Sequence, residues 1–228
     1  MRDVAVLLGV SEKIVYRWIK DGDIPTYRVN DQYRFHRAEL LEWATARKAG
    51  VPADIFHESE GASAPPTTVL ESLLAGGIVH GLVGRDVESV LRAVVESMEL
   101  PEGVNREQLF RVLVAREALS STGVGDGVAI PHVRNPIVLD VPRPIIELCF
   151  LERAVDFGAP DSRPVHCIFA VVSPAVRVHL NLISRLAFVL RDTGFKAVLA
   201  RQGPREEILR ELRRAEARLR EVHPPPQE

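Results

Sequence analysis

The sequence predicts an α/β protein: a three-layer sandwich with a mixed sheet flanked by helices, preceded by a small helical unit closed by a hairpin. Three observations predict it. From Val69 onward, helical and strand patterns alternate. The runs IIELCFL (145–151) and HCIFAVV (166–172) are almost continuously apolar, as strands covered on both faces must be. Ahead of them, two amphipathic helical patterns separated by a glycine are followed by paired strand patterns.

Composition sets the frame. The chain has 228 residues, 46% hydrophobic and 26% charged, which suits an ordinary globular protein of two domains. No apolar run approaches the roughly 20 residues of a membrane helix, and no signal-peptide apolar region follows Met1-Arg2-Asp3, so a cytoplasmic protein is expected. Cys149 and Cys167 each stand alone in apolar runs, which fits reduced core residues rather than a metal knuckle or a redox pair. Net charge is −2, and nine Lys or Arg against seven Asp or Glu give residues 1–50 about +2. A claim of nucleic-acid binding must therefore rest on where the basic residues fall.

The first element reads as a short helix over 3–9, stopped by Gly9, with Ser11 as N-cap of a second helix running to about Asp21. The second helix sorts its residues by face. Ile14, Val15, Trp18 and Ile19 form an inward stripe, while Lys13, Tyr16, Arg17 and Lys20 share the opposite face. Gly22 and Pro25 end it; strands over 26–29 and 33–36 then flank an Asn30-Asp31 turn, and a last helix over 37–48 carries Leu40, Leu41 and Trp43. Two helices, a tight turn and a hairpin make the layout of a winged helix-turn-helix, whose second helix enters the major groove. The bland alternative is a solvated basic face on a protein-interaction module.

The words DVAVLLGVSEKIVYRWIKDGDIPTYRVNDQYRFHRAELLEW resemble the excisionase and MerR-like class of helix-turn-helix modules over nearly all of residues 2–43. That resemblance implies that Ser11, Lys13, Tyr16, Arg17 and Lys20 face DNA, with Arg28, Asn30, Gln32 and Arg34 on the wing. The chain departs from the pattern in that Met1 falls almost inside the first helix, where such modules have several preceding residues. Helix-turn-helix proteins commonly bind two half-sites, so an oligomer is compatible with this reading.

The stretch GVPADIFHESEGASAPPTT has the Gly, Ala, Ser, Pro and acidic content of a flexible connector. The expected division is a first domain over 1–49, a linker over 50–67, a second domain over 68–222 and a disordered tail, HPPPQE, over 223–228. Within the second domain helices are expected near 69–75, 86–98, 105–118, 175–192 and 204–221, and strands near 143–152 and 166–173.

The stretch REALSSTGVGDGVAIPHVRNP (116–136) carries the chemistry. Gly123, Gly125 and Gly127, after Ser120, Ser121 and Thr122, read as a loop that can approach a ligand and offer it N–H groups. A Gly-rich loop alone is weak evidence. Here it runs into a short apolar strand over 128–130 and ends on Pro131-His132, so a rigid element fixes the imidazole at its rim. A neutral imidazole held there keeps one unprotonated ring nitrogen available.

These residues resemble the active-site signature of the fructose, mannitol and nitrogen-regulatory class of enzyme IIA of the bacterial phosphotransferase system. The likeness extends through ESLLAGGIVHGLVGRDVESVLRAVVE, DFGAPDSRPVHCIFAVVSP and HLNLISRLAFVLRD, from about residue 68 to 215. It implies a phosphotransferase component, a stoichiometric phosphohistidine carrier, loaded by an HPr-type phosphocarrier. It implies His132 as phosphoacceptor, Arg116 as the anion-binding arginine and His179 as the second active-site histidine, with Thr122, Gly123, Gly125 and Gly127 around the phosphoryl group. Val133 stands where the family commonly has Gly or another small residue, so altered access by the partner is expected. No metal or nucleotide motif appears, and a His132–His179 metal pair lacks a third ligand. His36, His57, His80, His166 and His223 match no motif and default to structural or surface roles.

The combined expectation is a regulator in which an enzyme IIA-like domain reports phosphotransferase status and the N-terminal module reads DNA. One alternative is a carrier in carbohydrate uptake that passes phosphate to a IIB domain. Another is a regulator that docks on a transporter or kinase according to its phosphorylation state.

Overall fold

The computed structural model describes residues 1–8, 10–29, 32–35, 40, 43, 67–133 and 141–222. The chain divides into two compact units, Met1–Ala64 and Pro65–Glu228.

In the first unit, a helix over Arg2–Leu7 is followed by a second over Glu12–Lys20. Ser11 sits at the N-cap with extended backbone, but its side chain makes no capping hydrogen bond, so the cap is positional only. Gly22, at φ 71°, turns the chain where an L side chain would be strained. Strands β1 (Tyr27–Val29) and β2 (Gln32–Arg34) then pair antiparallel, Arg28 opposite Tyr33. Val4, Ala5, Leu8, Val15, Ile24 and Leu40 form a small core, and Trp18 meets Trp43 edge-on at 4.9 Å. The Asn30-Asp31 turn, the tail and the expected linker apart from Thr67 lie outside the described residues, as does the expected 37–48 helix apart from Leu40 and Trp43.

The second unit is built on one five-stranded sheet of order β3-β6-β7-β5-β4. Its strands are β3 (Ile78–Leu82), β4 (Gly123–Gly125), β5 (Val128–Ala129), β6 (Ile145–Val155) and β7 (Val165–Val172). β3 runs parallel to β6 and β5 parallel to β7, while β6/β7 and β4/β5 are antiparallel. The sheet is therefore mixed.

Alternation along the strands feeds two cores. β6 sends Ile145, Cys149 and Leu151 to one side and Ile146, Leu148 and Phe150 to the other; β7 does the same with Ile168, Ala170 and Val172 against Cys167, Phe169 and Val171. Helices Val87–Ser97 and Arg106–Leu119 cover the first face. Helices Val69–Gly76, Val176–Val189, Thr193–Ala200 and Arg205–Val222 cover the second. Each fully buried large apolar side chain contributes about 1.5–3 kcal/mol. Both cysteines are free and buried in these cores.

Polar caps fix where the helices start. Thr68 with Glu71 and Asp86 with Ser89 form reciprocal capping boxes, and Asn105 and Asp192 each accept an amide of their own first turn. The Val69–Gly76 helix has a further tie, since the amides of Val69 and Leu70 donate to the buried Glu216 at 2.9 and 3.0 Å. Glu216 also lies 3.5 Å from Arg185.

Three expectations are corrected. The segment IVHGL forms strand β3 on the edge of the sheet, where no strand was expected. The helix expected over 175–192 ends at Val189, because Asp192 caps a new helix by accepting the Phe195 amide at 2.9 Å. Gly123 and Gly125 belong to strand β4, so the glycine-rich stretch is a hairpin rather than an open loop.

Candidate phosphoacceptor site

The site lies just past the C-terminal end of β5, beside the last residues of the parallel strand β7. The chain leaving β5 stays in register, for the Val171 amide donates to the Pro131 carbonyl at 2.9 Å and His132 pairs in parallel with Val171. His132 is thereby carried on the sheet, with 5% of its surface exposed.

Its protonation follows from one contact. His132 Nδ1 lies 2.7 Å from the Ile130 carbonyl oxygen. A carbonyl only accepts, so in the neutral ring Nδ1 carries the proton and Nε2 the lone pair. Arg116 Nε–H donates to that Nε2 at 3.2 Å.

Arg116 reaches the imidazole from the last turn of the Arg106–Leu119 helix and is 7% exposed. Its fork is aimed by Ser120, whose carbonyl and Oγ accept from Nη1 at 2.8 and 3.1 Å. Also beside His132 is His179, in the first turn of the Val176–Val189 helix, with 1% exposure. Its ring centre is 5.1 Å from that of His132. Ser173 Oγ lies 3.3 Å from His179 Nδ1. The structure thus brings together Arg116, His132 and His179, which are separated by up to 63 positions in the sequence.

Thr122 is next to this group, for its carbonyl accepts the Ile130 amide at 2.9 Å. Its Oγ1 is buried and has no hydrogen-bond partner among the described residues. The glycines are placed differently from the expectation. Gly123 pairs with Ala129 and its amide is already bonded to Ser121 Oγ at 2.9 Å. Gly125 and Gly127, at φ 87° and 72°, form the hairpin tip around Asp126. From Gly127 to His132 the extended chain spans about 16 Å, so the tip is remote from the imidazole. Gly127 is required there for packing, since a Cβ would sit 2.3 Å from His166 Nδ1. Val133 is 1% exposed and packed in the core, which turns its methyl groups away from any approaching partner.

Three positioning groups were missed in the sequence: the Ile130 carbonyl, Ser120 and Ser173. Ser120 stood in the quoted hydroxyl run, but nothing in that run showed which side chain it would hold. The carbonyl has no sequence signal at all.

In the first unit, Lys13, Tyr16, Arg17 and Lys20 are exposed along one side of the Glu12–Lys20 helix, Tyr16 by 51%, and Ser11 is exposed at its N-cap. Arg34 on β2 is exposed as well. Arg28 and Gln32 lie on the two strands, their side chains outside the described set, and Asn30 lies outside the described residues.

The family model described as "Phosphoenolpyruvate-dependent sugar phosphotransferase system, EIIA 2" matches residues 73–215, more than half of the chain. The chain belongs to this family. In this enzyme IIA protein a second model, described as a helix-turn-helix domain, matches residues 1–48. The nitrogen regulatory protein of Pseudomonas aeruginosa is 35% identical over 150 residues, 63% of this chain and 93% of that protein. The PTS system fructose-specific EIIABC component of Bacillus subtilis is 28% identical over 152 residues, 65% of this chain and 21% of that protein. This enzyme IIA chain thus spans about a fifth of that relative's length. The crystal structure of nitrogen regulatory protein IIA-Ntr from Neisseria meningitidis superposes with a TM-score of 0.53 at 30% identity, covering 61% of this chain and 94% of that one. Among the described residues, no helix is long and apolar enough to cross a membrane.

Proposed function

We propose that His132 accepts a phosphoryl group on Nε2 from an HPr-type phosphocarrier, and that the helix-turn-helix module binds DNA, making the chain a cytoplasmic regulator of transcription. The observation that carries the reading is the 2.7 Å contact of His132 Nδ1 with the Ile130 carbonyl, which keeps the Nε2 lone pair beside the Arg116 guanidinium. In the transfer, the bond from Nε2 to phosphorus forms as the bond from phosphorus to the donor's nitrogen breaks. No proton has to leave Nε2 first. In this reading Arg116 supplies a permanent charge and N–H donors to the phosphoryl oxygens, and His179 and Thr122 Oγ1 add hydrogen bonds.

The test is incubation with phosphoenolpyruvate, enzyme I and an HPr-type carrier, with the acid-labile phosphate located by mass spectrometry at alkaline pH. Label is expected on His132 and is lost in His132→Ala; label retained in that variant overturns the reading. DNA binding is tested by titration of wild type, phosphorylated wild type and His132→Ala at one fixed salt concentration, because affinity without a stated salt is uninterpretable. Affinity that differs between the phosphorylated and unphosphorylated forms supports a regulator; equal affinities sink the coupling and leave DNA binding standing.

Similarity to the fructose-specific EIIABC component favours a second reading, in which phosphate passes onward to a IIB domain. Relay of label from His132 to a sugar-specific IIB domain would select it.

A further inference from the structure

Each of the two neighbouring histidines has a polar partner at Nδ1, but the partners differ in chemistry. His132 Nδ1 meets the Ile130 carbonyl at 2.7 Å, and a carbonyl can only accept. His179 Nδ1 meets Ser173 Oγ at 3.3 Å, and a hydroxyl can either donate or accept. The first contact dictates a tautomer. The second leaves a choice, and the site's charge pattern decides it.

We infer that Ser173 donates its O–H to His179 Nδ1, keeping the His179 proton on Nε2 as a donor for a phosphoryl group on His132. Ser173 is then a positioning residue acting through His179. The inference rests on the reading that His132 is the phosphoacceptor.

Two physical arguments select this direction. A neutral imidazole has one N–H, and a phosphoryl group on His132 brings close to two negative charges and three acceptor oxygens into a pocket of residues with little exposure. If His179 donated from Nδ1 to Ser173, its Nε2 lone pair would be offered to a site full of acceptors. With Ser173 as donor, Nε2–H is offered instead. The second argument is satisfaction: Ser173 is 1% exposed, so its hydroxyl hydrogen needs an acceptor inside the protein, and the unprotonated Nδ1 is one. The pair of rings becomes complementary, with the lone pair on His132 Nε2 and the proton on His179 Nε2.

Sequence order explains how the serine comes to be there. β7 ends at Val172, Ser173 and Pro174 turn the chain, and the Val176–Val189 helix begins with His179 in its first turn. The hydroxyl and the imidazole are therefore six residues apart on one short strand-to-helix connection.

The experiment records long-range nitrogen-15 spectra of the imidazoles in unphosphorylated full-length protein, together with the lifetime of phosphohistidine after loading. In wild type, His179 is expected to show an unprotonated Nδ1 and a protonated Nε2. Ser173→Ala is expected to give mixed tautomers at His179 and to shorten the phosphohistidine lifetime about fivefold, the size of one lost hydrogen bond. Ser173→Thr, which keeps the hydroxyl, is expected to restore both. A protonated Nδ1 at His179 in wild type, a measurement that needs no variant to fold, would overturn the inference; so would an unchanged tautomer in Ser173→Ala. Absence of label on His132 in wild type overturns the phosphoacceptor reading instead, and the two failures are distinguishable because the spectra need no phosphate.

Discussion

Arg116 and Glu117 are neighbours in the last turn of one helix, yet they bond in different directions. Arg116 Nε–H donates to His132 Nε2 at 3.2 Å, whereas the Glu117 carboxylate accepts the Thr122 amide at 2.9 and 3.1 Å. The acid therefore holds the chain entering the hairpin, and the guanidinium turns to the imidazole.

Arg116→Lys should slow loading of His132 by roughly tenfold, because lysine keeps the charge but loses the planar fork that bonds Ser120 and His132 together. Rapid-quench labelling by the phosphocarrier measures it. An unchanged rate in a folded variant would remove Arg116 from the phosphoryl site.

Glu216→Ala should destabilise the second unit by about 3 kcal/mol, since it leaves the amides of Val69 and Leu70 without their acceptor and Arg185 without its buried partner. Urea unfolding followed by circular dichroism reads the loss. A change under a few tenths of that figure would mean that water replaces the carboxylate at no cost.

Glu147 gives a pH prediction. It is 1% exposed on β6, where Ser97 Oγ–H donates to it at 2.8 Å and Cys149 Sγ–H at 3.2 Å. Burial pushes its carboxyl above the ordinary glutamate value of 4.5. Between that value and its raised native one, the folded state holds the proton more tightly than the unfolded state. The contribution is fully present below 4.5 and is lost as pH rises through the native value. Glu147→Gln should therefore show a smaller loss of stability than wild type across this window, measured as denaturant midpoints on either side of it. Parallel pH profiles for the two proteins would refute the assignment.

Arg17→Ala should weaken DNA binding across all sequences and lower the slope of log affinity against log salt by about 1, as loss of one phosphate contact does. Arg17 is exposed on the second helix of the helix-turn-helix unit. Fluorescence anisotropy over a salt series tests this, and an unaltered slope would assign the arginine another role.

Much of the second unit was legible because its signals are periodic. The helix expected near 105–118 runs over Arg106–Leu119, and the strands expected near 143–152 and 166–173 run over Ile145–Val155 and Val165–Val172. β3 was not legible, since IVHGL carries a glycine and a histidine and gains its identity from pairing with β6. His132, Arg116 and His179 were singled out by the family resemblance rather than by any periodic signal, and the fold brings the three side chains together. The Ile130 carbonyl, which fixes the tautomer, belongs to a backbone orientation that only the finished fold defines. The glycines were misread for a related reason: alternate glycines suit either a ligand cradle or a close-packed hairpin, and the neighbouring His166 ring and Ala159 make it the latter.

The pairing of His132 with Val171 bears on the kinetics of encounter. Fixing one residue's backbone costs about 1–2 kcal/mol, and here folding has already done so before any donor arrives. Under the proposed transfer, a docking protein finds the backbone of His132 already set, so it can meet a correctly aimed nitrogen during a brief, weak collision and depart as quickly. Such contacts suit a relay, in which a long-lived complex would hold the carrier and stop the flow.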